Sequence, residues 1–571
     1  MSEFLLYYQR PNPATWVYLS SFLSIGLYFV FHRFWSVRNV DIVLLILLGP
    51  GVLMVHEGRR QQLAAALEER QGPGLATSAA ASDGDAVSLV ARPVVEDLQV
   101  VSESVPMELA ETPTDTREQA ETSEVAGEGA AVQLRRDQEE EASLEEGEGT
   151  SASSGEGWLV SPVEITSAER LELRGFYWLL GTELVILIRL LLDPLMVRRP
   201  LLDPNLTTGG LAFIGISLLI FLMANVITST PRMQREQGPE LGPGYPVLNM
   251  LPAIPTTPDG GSALLLRGDD DFAGAGDATA IGLRSAEPTS PPVAYTALAR
   301  TIAIFAHLAV VIGIALIGYW HFGNFRAGVG CATLYLLLPY TAQMTGRVDH
   351  VLPAALLVGA ILFYRRPLLA GTCLGLAAGL VYYPAFLLPL WFGFYRQRGM
   401  GRFAIGVGLT LLMLTMLLWV GGTEKFTERL VQMYGLWFPL RENLVGVWGL
   451  GWQPIWRLPI LVAFVLLAFF YSVWPRQKNL GTLMSCSATL MVAAQFWHGF
   501  GGGLFIAWFL PLFLLTIFRP NLEDRVALKV IGSGSWRRGV PGGVGIDAAV
   551  LLLALLPAGL AVTGLPHFFQ V

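Results

Sequence analysis

The chain has 571 residues, of which 53% are hydrophobic and 15% charged, with a mean hydropathy of +0.49. A soluble globular protein of this length carries nearer a quarter charged residues, so a purely soluble fold is excluded. The net charge of −8 comes largely from one acidic segment and says little about partners of the apolar remainder; no nucleic-acid partner is expected.

Apolar blocks long enough to cross a bilayer, about 20 helical residues each, recur along the chain. In order they fall near 14–34, 39–56, 175–196, 209–229, 299–319, 326–344, 351–364, 368–381, 385–395, 403–420, 458–474, 479–496, 502–518 and 546–563. The predicted fold class is therefore an all-α polytopic membrane protein of about 13–14 transmembrane segments. Only Arg10 precedes the first block as a basic residue, and no small-x-small cleavage site follows it, so 14–34 reads as a retained span. The pair 368–381 and 385–395 is short and split by Pro384, which fits either one kinked helix or a tight helical hairpin.

Two insertions divide the blocks. Residues 58–172 open with the helical pattern GRRQQLAAALEER and run into QEEEASLEEGEGTSASSGEG. Few aromatics and many acids leave too little apolar surface to offset ordering entropy, so about 72–157 is predicted to be disordered. Residues 230–298 are rich in Gly, Pro, Asp and Thr and read as a second extended loop. The domain scheme is an N-terminal transmembrane hairpin (1–57), the acidic insertion (58–172), a second hairpin (173–229), the outer loop (230–298) and a transmembrane core (299–571).

Lys and Arg cluster beside span ends at Arg33 and Arg38, Arg198 and Arg199, Arg365 and Arg366, Arg396 to Arg402, Arg476 and Lys478, and from Arg519 onward. One topology puts all of these on the cytoplasmic side. It requires 368–395 to be a hairpin, and it puts both insertions, the TGRVDH tip at 345–350, the Tyr382–Pro384 turn and the loops 421–457 and 497–501 outside. Arg59 and Arg60 are exceptions. Cys331, Cys373 and Cys486 lie in apolar blocks without metal or disulfide spacing.

The run from TGRVDHVLPA through YRRPLLAGTCLGLAAGLVYYPAF to FYRQRGMGRF resembles the polyprenyl-phosphate-sugar-dependent glycosyltransferases of the GT-C class. It is most similar to glycosyltransferase family 87, the mannosyltransferase-like enzymes of bacterial lipid-linked glycan synthesis. Gly346-Arg347-Val348-Asp349 stands at that family's polar tip, Arg365-Arg366-Pro367 at its Arg-rich turn, Leu369 to Leu380 at its small-residue helix, and Tyr382-Tyr383-Pro384 at its proline element. The tip Gln and Asn of the family are here Arg347 and Asp349, and its lysine has no counterpart. The resemblance covers about 300–402.

It implies a GT-C-like bundle, transfer of a sugar from a polyprenyl-phosphate donor to a lipid or glycan acceptor at the outer face of a bacterial cytoplasmic membrane, and contact with membrane lipid. Such chemistry needs a carboxylate to accept the acceptor's proton, and donors to steady the departing phosphate. Asp349 is the nearest acid, with helix capping and pairing to Arg347 as its bland alternative. Asp203 is the runner-up if the first half of the topology is inverted. Arg347 and His350 are expected at phosphate or sugar, against plain interfacial anchoring. Tyr382, Tyr383, Trp497 and His498 are expected to line the sugar site, against an aromatic belt. Glu183, mid-span, is a candidate by position unless it pairs with Arg189 or an arginine of a neighbouring span; Arg189 and Asp193 are spaced to pair. The loop 421–457, with Trp437, Trp448, Trp452 and Trp456, suits an amphipathic helix on the membrane. No cofactor is indicated; a divalent metal is compatible with the class but has no ligand spacing here. The alternatives are a transporter or flippase of a lipid-linked glycan, and a catalytically inactive GT-C-like scaffold.

Overall fold

The computed structural model describes residues 12–71, 166–196, 202–228, 293–397, 399–420, 426–436, 444–476 and 478–520. The acidic insertion from 72 to 165, the loop from 229 to 292 and the span expected at 546–563 lie outside these residues. Among the described residues the regular structure is helical, apart from a single bridge between Val445 and Phe500.

In chain order the helices are α1 (Pro13–Tyr28), α2 (Val37–Gln71), α3 (Ser167–Leu192), α4 (Thr208–Thr228), α5 (Val293–Trp320), α6 (Phe325–Leu337), α7 (Pro339–Gln343), α8 (Val348–Leu362), α9 (Pro367–Leu380), α10 (Leu388–Tyr395), α11 (Met400–Val420), α12 (Phe426–Tyr434), α13 (Val447–Leu450), α14 (Arg457–Val473), α15 (Leu480–Trp497) and α16 (Leu510–Phe518). Local chemistry marks many starts. Asn12 accepts from Ala14 N ahead of Pro13, Thr166 and Glu169 form a capping box, and Asn479 and Thr482 form another.

Seven helices among the described residues are long and apolar enough to cross a membrane, with the shorter apolar helices α6, α8 and α9 packed among them. The chain is thus an all-α, multi-pass membrane protein. Large apolar side chains point outward, such as Phe22 (72% exposed), Phe213 (73%) and Leu466 (62%), which suits contact with acyl chains. Helix α15 is the exception: 89% of it is buried, and it packs against α3, α14 and α16.

Pro384 separates two antiparallel helices rather than kinking one. Tyr395 Oη donates to Tyr364 O (2.6 Å) and Gly399 abuts Pro367, so α9 starts at the end of the molecule where α10 finishes. A 3₁₀ turn at Tyr383–Leu387 makes the reversal.

Glycines set the closest helix pairs. A Cβ on Gly175 of α3 would stand 2.7 Å from Val55 N of α2, and one on Gly58 would stand 2.8 Å from Glu172 N. Gly371, Gly375 and Gly406 do the same between α9 and α11. Gly175→Ala is therefore expected to destabilise by about 1–3 kcal/mol through overpacking. Gly181→Ala on the same helix, where a Cβ meets nothing within 4 Å, is expected to be neutral or stabilising. Thermal melts of both variants in one detergent check the contrast.

The cations predicted to share a side and present among the described residues, Arg33, Arg38, Arg365, Arg366, Arg396, Arg402, Arg476, Lys478 and Arg519, stand at the same ends of their helices. Three buried charges and the largely buried Arg189 tie that end together. Arg189 donates to Asp41 (2.9 and 3.1 Å) and to Asp193 (3.2 Å), and Arg519 donates to Asp193 (2.7 Å). Arg59 and Arg60, the exceptions, lie at the opposite end and are paired there with Glu172 (2.9 Å) and Glu57 (2.7 Å). Their neighbouring acids weaken any topological signal from these two cations.

Candidate functional site

The end opposite the buried arginines collects the polar tip, the Tyr382–Tyr383 turn and the Trp497–Gly503 loop. The tip is held by α5: His307 Nε2 bonds Thr345 O (3.0 Å) and its Nδ1 meets Tyr335 Oη (3.1 Å). Thr345 Oγ1 also donates back to Thr341 O (2.7 Å). Helix α8 starts at Val348 with Arg347 as N-cap residue, so Asp349 sits in the first turn rather than at the cap. The expected pairing is present. Arg347 Nε and Nη2 donate to the two Asp349 carboxylate oxygens at 3.0 and 2.7 Å, in a fork. His350 Nε2 lies 3.6 Å from the same carboxylate, and His350 Nδ1 meets Tyr340 Oη at 2.5 Å. Trp508 Nε1 donates to Asp349 O (3.2 Å).

The loop after α15 is built to bring His498 onto this tip. Gly501 and Gly503 have φ of 77° and 98°, a region that favours glycine. Gln495 Oε1 accepts from Gly503 N (3.1 Å), Val445 N donates to Gly499 O (3.0 Å), and Gly501 N donates to Val445 O (3.2 Å). Phe500 N donates to His498 Nδ1 (3.1 Å), so in the neutral ring Nε2 carries the proton. That Nε2 is buried with no hydrogen-bond partner among the described residues, as is Trp497 Nε1 beside it.

Aromatic stacking joins the parts. Tyr382 stacks on Tyr383 (4.1 Å between centroids), Tyr383 on His498 (4.7 Å), and Tyr383 lies 5.1 Å from Trp497. Phe505 then touches both imidazoles, His498 and His350, each at 4.6 Å. Arg347, Asp349, His350, Tyr382, Tyr383, Trp497 and His498 thus form one continuous cluster. Tyr340, Phe505, Trp508 and the buried cation Arg457, which donates to Trp497 O (3.2 and 3.1 Å), belong to it as well. Sequence reading missed all four. Phe505 and Trp508 sit in FIAWFLPLFLL, where nothing separates them from ordinary span residues.

Asp203 is elsewhere. It precedes α4 at the arginine end, 53% exposed, with Arg326 Nη1 at 3.7 Å. Glu183 has neither expected explanation. Arg189 is committed to Asp41 and Asp193, and both Glu183 oxygens are buried with no partner among the described residues. Glu183 lies against Gly503, where a Cβ would come within 3.8 Å of its Oε2. Helix α12 is the short piece of the 421–457 loop that lies on α9 and α11, with Met433 packed on Leu414 and Leu418. Trp452 and Trp456 are exposed there, Trp448 is buried, and Trp437 lies outside the described residues. Among the described residues no three His, Cys, Asp or Glu side chains gather as metal ligands.

His498 lies one residue beyond α15. Burial, then the charges of Arg457 and His350, hold its imidazole well below the ordinary histidine range. The unfolded chain takes up this proton near pH 6.5 and the folded chain resists it, so stability falls as pH drops below about 6.5. We expect His498→Gln to melt less steeply with acidification from pH 7 to 5 than the parent does, as read by thermal scans across that range.

The fold and the cluster define a class: an all-helical membrane protein with a packed aromatic and ionisable site at one end of its bundle. No family model, curated protein or solved structure matches the chain.

Proposed function

We propose that the chain is a membrane glycosyltransferase of the GT-C kind, moving a sugar, with mannose the first donor sugar to test, from a polyprenyl phosphate to a lipid or glycan acceptor at the outer face of a bacterial cytoplasmic membrane. The observation that carries the reading is the convergence at one end of a forked Arg347–Asp349 pair, His350, Tyr383 and two buried N–H donors without a partner among the described residues, His498 Nε2 and Trp497 Nε1. Orphaned buried donors are rare and costly, and a sugar or phosphate oxygen is a natural acceptor for them.

In this mechanism Asp349 takes the proton of the acceptor hydroxyl as its oxygen attacks the anomeric carbon. The carbon–oxygen bond to phosphate breaks and polyprenyl phosphate departs with the electron pair. Arg347, once one arm of its fork is released, and His350 steady the phosphate charge. Tyr383, stacked between Tyr382 and His498, holds the wall of the site, and Trp497 Nε1 and His498 Nε2 donate to the sugar oxygens. Purified protein in lipid, supplied with radiolabelled polyprenyl-phosphate-mannose or -glucose and membrane extract as acceptor, is expected to yield labelled product from one donor. Absence of product from both donors overturns the reading.

One observation favours the transporter or flippase reading. Glu183 is a carboxyl inside the bundle without a partner among the described residues, and intramembrane carboxyls often serve ion or substrate movement. Flipping of a fluorescent lipid-linked sugar in proteoliposomes, lost in Glu183→Gln and without any sugar transfer, would favour it over the enzyme.

A further inference from the structure

The arginine end carries a cavity of ≈ 680 Å³ between the end of α1, the 3₁₀ turn Phe31–Arg33, the start of α2 and the Asp203–Asn205 segment that leads into α4. Backbone and amide bonds fix its walls. Asn39, almost wholly buried, accepts from Val30 N (3.0 Å) and donates to Val30 O (2.9 Å) and Arg33 O (3.0 Å). Asn205 Nδ2 donates to Gly26 O and Phe29 O (3.1 Å each), which clamps the facing wall. Arg38 forms part of the frame, donating to Tyr28 O (3.2 and 3.0 Å) and, in a short contact, to Asp203 O. The cavity is therefore built before any ligand arrives.

Its charge is unbalanced. His32, Arg33 and Arg38 line it against one acid, Asp203, whose carboxylate also has Arg326 nearby. His32 and Arg33 are exposed. Ser36, at the start of α2, opens the positive end of that helix onto the same space. Around the rim stand Phe31 (69% exposed), Phe34 (60%) and Trp35 (88%), next to the point where the span Val37–Gln62 begins. Exposed aromatic rings beside a basic cavity at a span end suit the headgroup level of a bilayer.

We propose that this cavity binds the phosphate headgroup of an anionic glycerophospholipid, with Arg33 as the principal mobile cation, His32 as a second donor and Asp203 as the element that limits affinity. The acyl chains would lie along the exposed apolar face of α1, where Phe22 and Tyr18 point outward. The inference rests on the membrane architecture and not on the sugar-transfer reading, since the cavity lies at the other end of the bundle from the Asp349 cluster.

The test titrates the full-length protein, purified in a neutral detergent, with dioleoylphosphatidylglycerol, dioleoylphosphatidylcholine or inorganic phosphate, and counts bound adducts by native mass spectrometry. One saturable phosphatidylglycerol site is expected, at least about tenfold tighter than for phosphatidylcholine. Loss of a charge-assisted contact to the phosphate should weaken the site by about 10-fold or more in Arg33→Gln, with an unchanged melting profile. Asp203→Asn should tighten it several-fold, a gain that mere loss of structure would not give. Equal retention of the two lipids, or unaltered phosphatidylglycerol binding in Arg33→Gln, overturns the proposal. So does binding of inorganic phosphate without any lipid preference, which would make the ligand a soluble phosphate instead.

Discussion

Asp349→Asn is expected to lower sugar transfer by about 10²–10⁴-fold, the range for loss of a positioned general base. Asparagine keeps the size of the side chain and one acceptor oxygen for Arg347 but turns an N–H against the other arm of the fork, so the tip loses some stability and the rate is read below the melting temperature of the variant. What it loses is the capacity to take a proton. The effect should therefore fall on kcat, with KM for the donor changed far less. Arg347→Lys gives the complementary pattern, because a point charge cannot reproduce the fork that holds both carboxylate oxygens at 3.0 and 2.7 Å. Both are read from initial rates with the active donor, alongside a thermal melt. Full activity in Asp349→Asn would remove this carboxylate from the chemistry, and loss confined to Asp203→Asn would move the base to the opposite end of the bundle.

Asp193→Ala should give the largest stability loss in the molecule. Asp193 is fully buried and receives Arg189 at 3.2 Å and Arg519 at 2.7 Å. Removing it leaves Arg519 without the carboxylate it faces and Arg189 with Asp41 alone. Breaking a buried pair from one side costs about 3–5 kcal/mol, because the remaining charge stays desolvated. The exposed pair Arg60–Glu57, with side chains 46% and 39% accessible, is the control. Arg60→Gln should cost less than about 1 kcal/mol. Melting temperatures in a single mild detergent separate the two, and similar shifts for both would mean that the four-charge cluster is not what holds that end.

Much of the architecture was legible because a bilayer imposes two coarse signals, apolar length and the side on which Lys and Arg collect. Those signals find the long apolar helices, the hairpin at Pro384 and the common end shared by Arg347, Asp349, Tyr383 and His498, but the block expected at 502–518 is a loop and 3₁₀ turn followed by the short α16, and the block at 326–344 is split into α6 and α7. They failed where the competing signal is uniform. Phe505, Trp508 and Tyr340 complete the cluster, yet each sits in an apolar run where every residue reads as span. Asp41 was passed over within VRNVDIVLLI because its partner Arg189 is 148 positions away in sequence. The number of crossings was also hard to read. Helices α6, α8 and α9 are too short to span alone, and length rules presume a helix that meets lipid on all sides, which these do not.

The near-complete burial of α15 bears on how the protein is made. Its mean hydropathy is 1.2, against 2.4 for α4 and α5. Ser485, Ser487, Thr489 and Gln495 all lie on it with side chains shut away from solvent. A nascent segment of this composition has little drive to partition from the translocon into lipid on its own. Its place in the bilayer is therefore expected to depend on α3, α14 and α16, the helices that cover it in the folded bundle, and with it the placing of the loop that carries His498 and the three consecutive glycines.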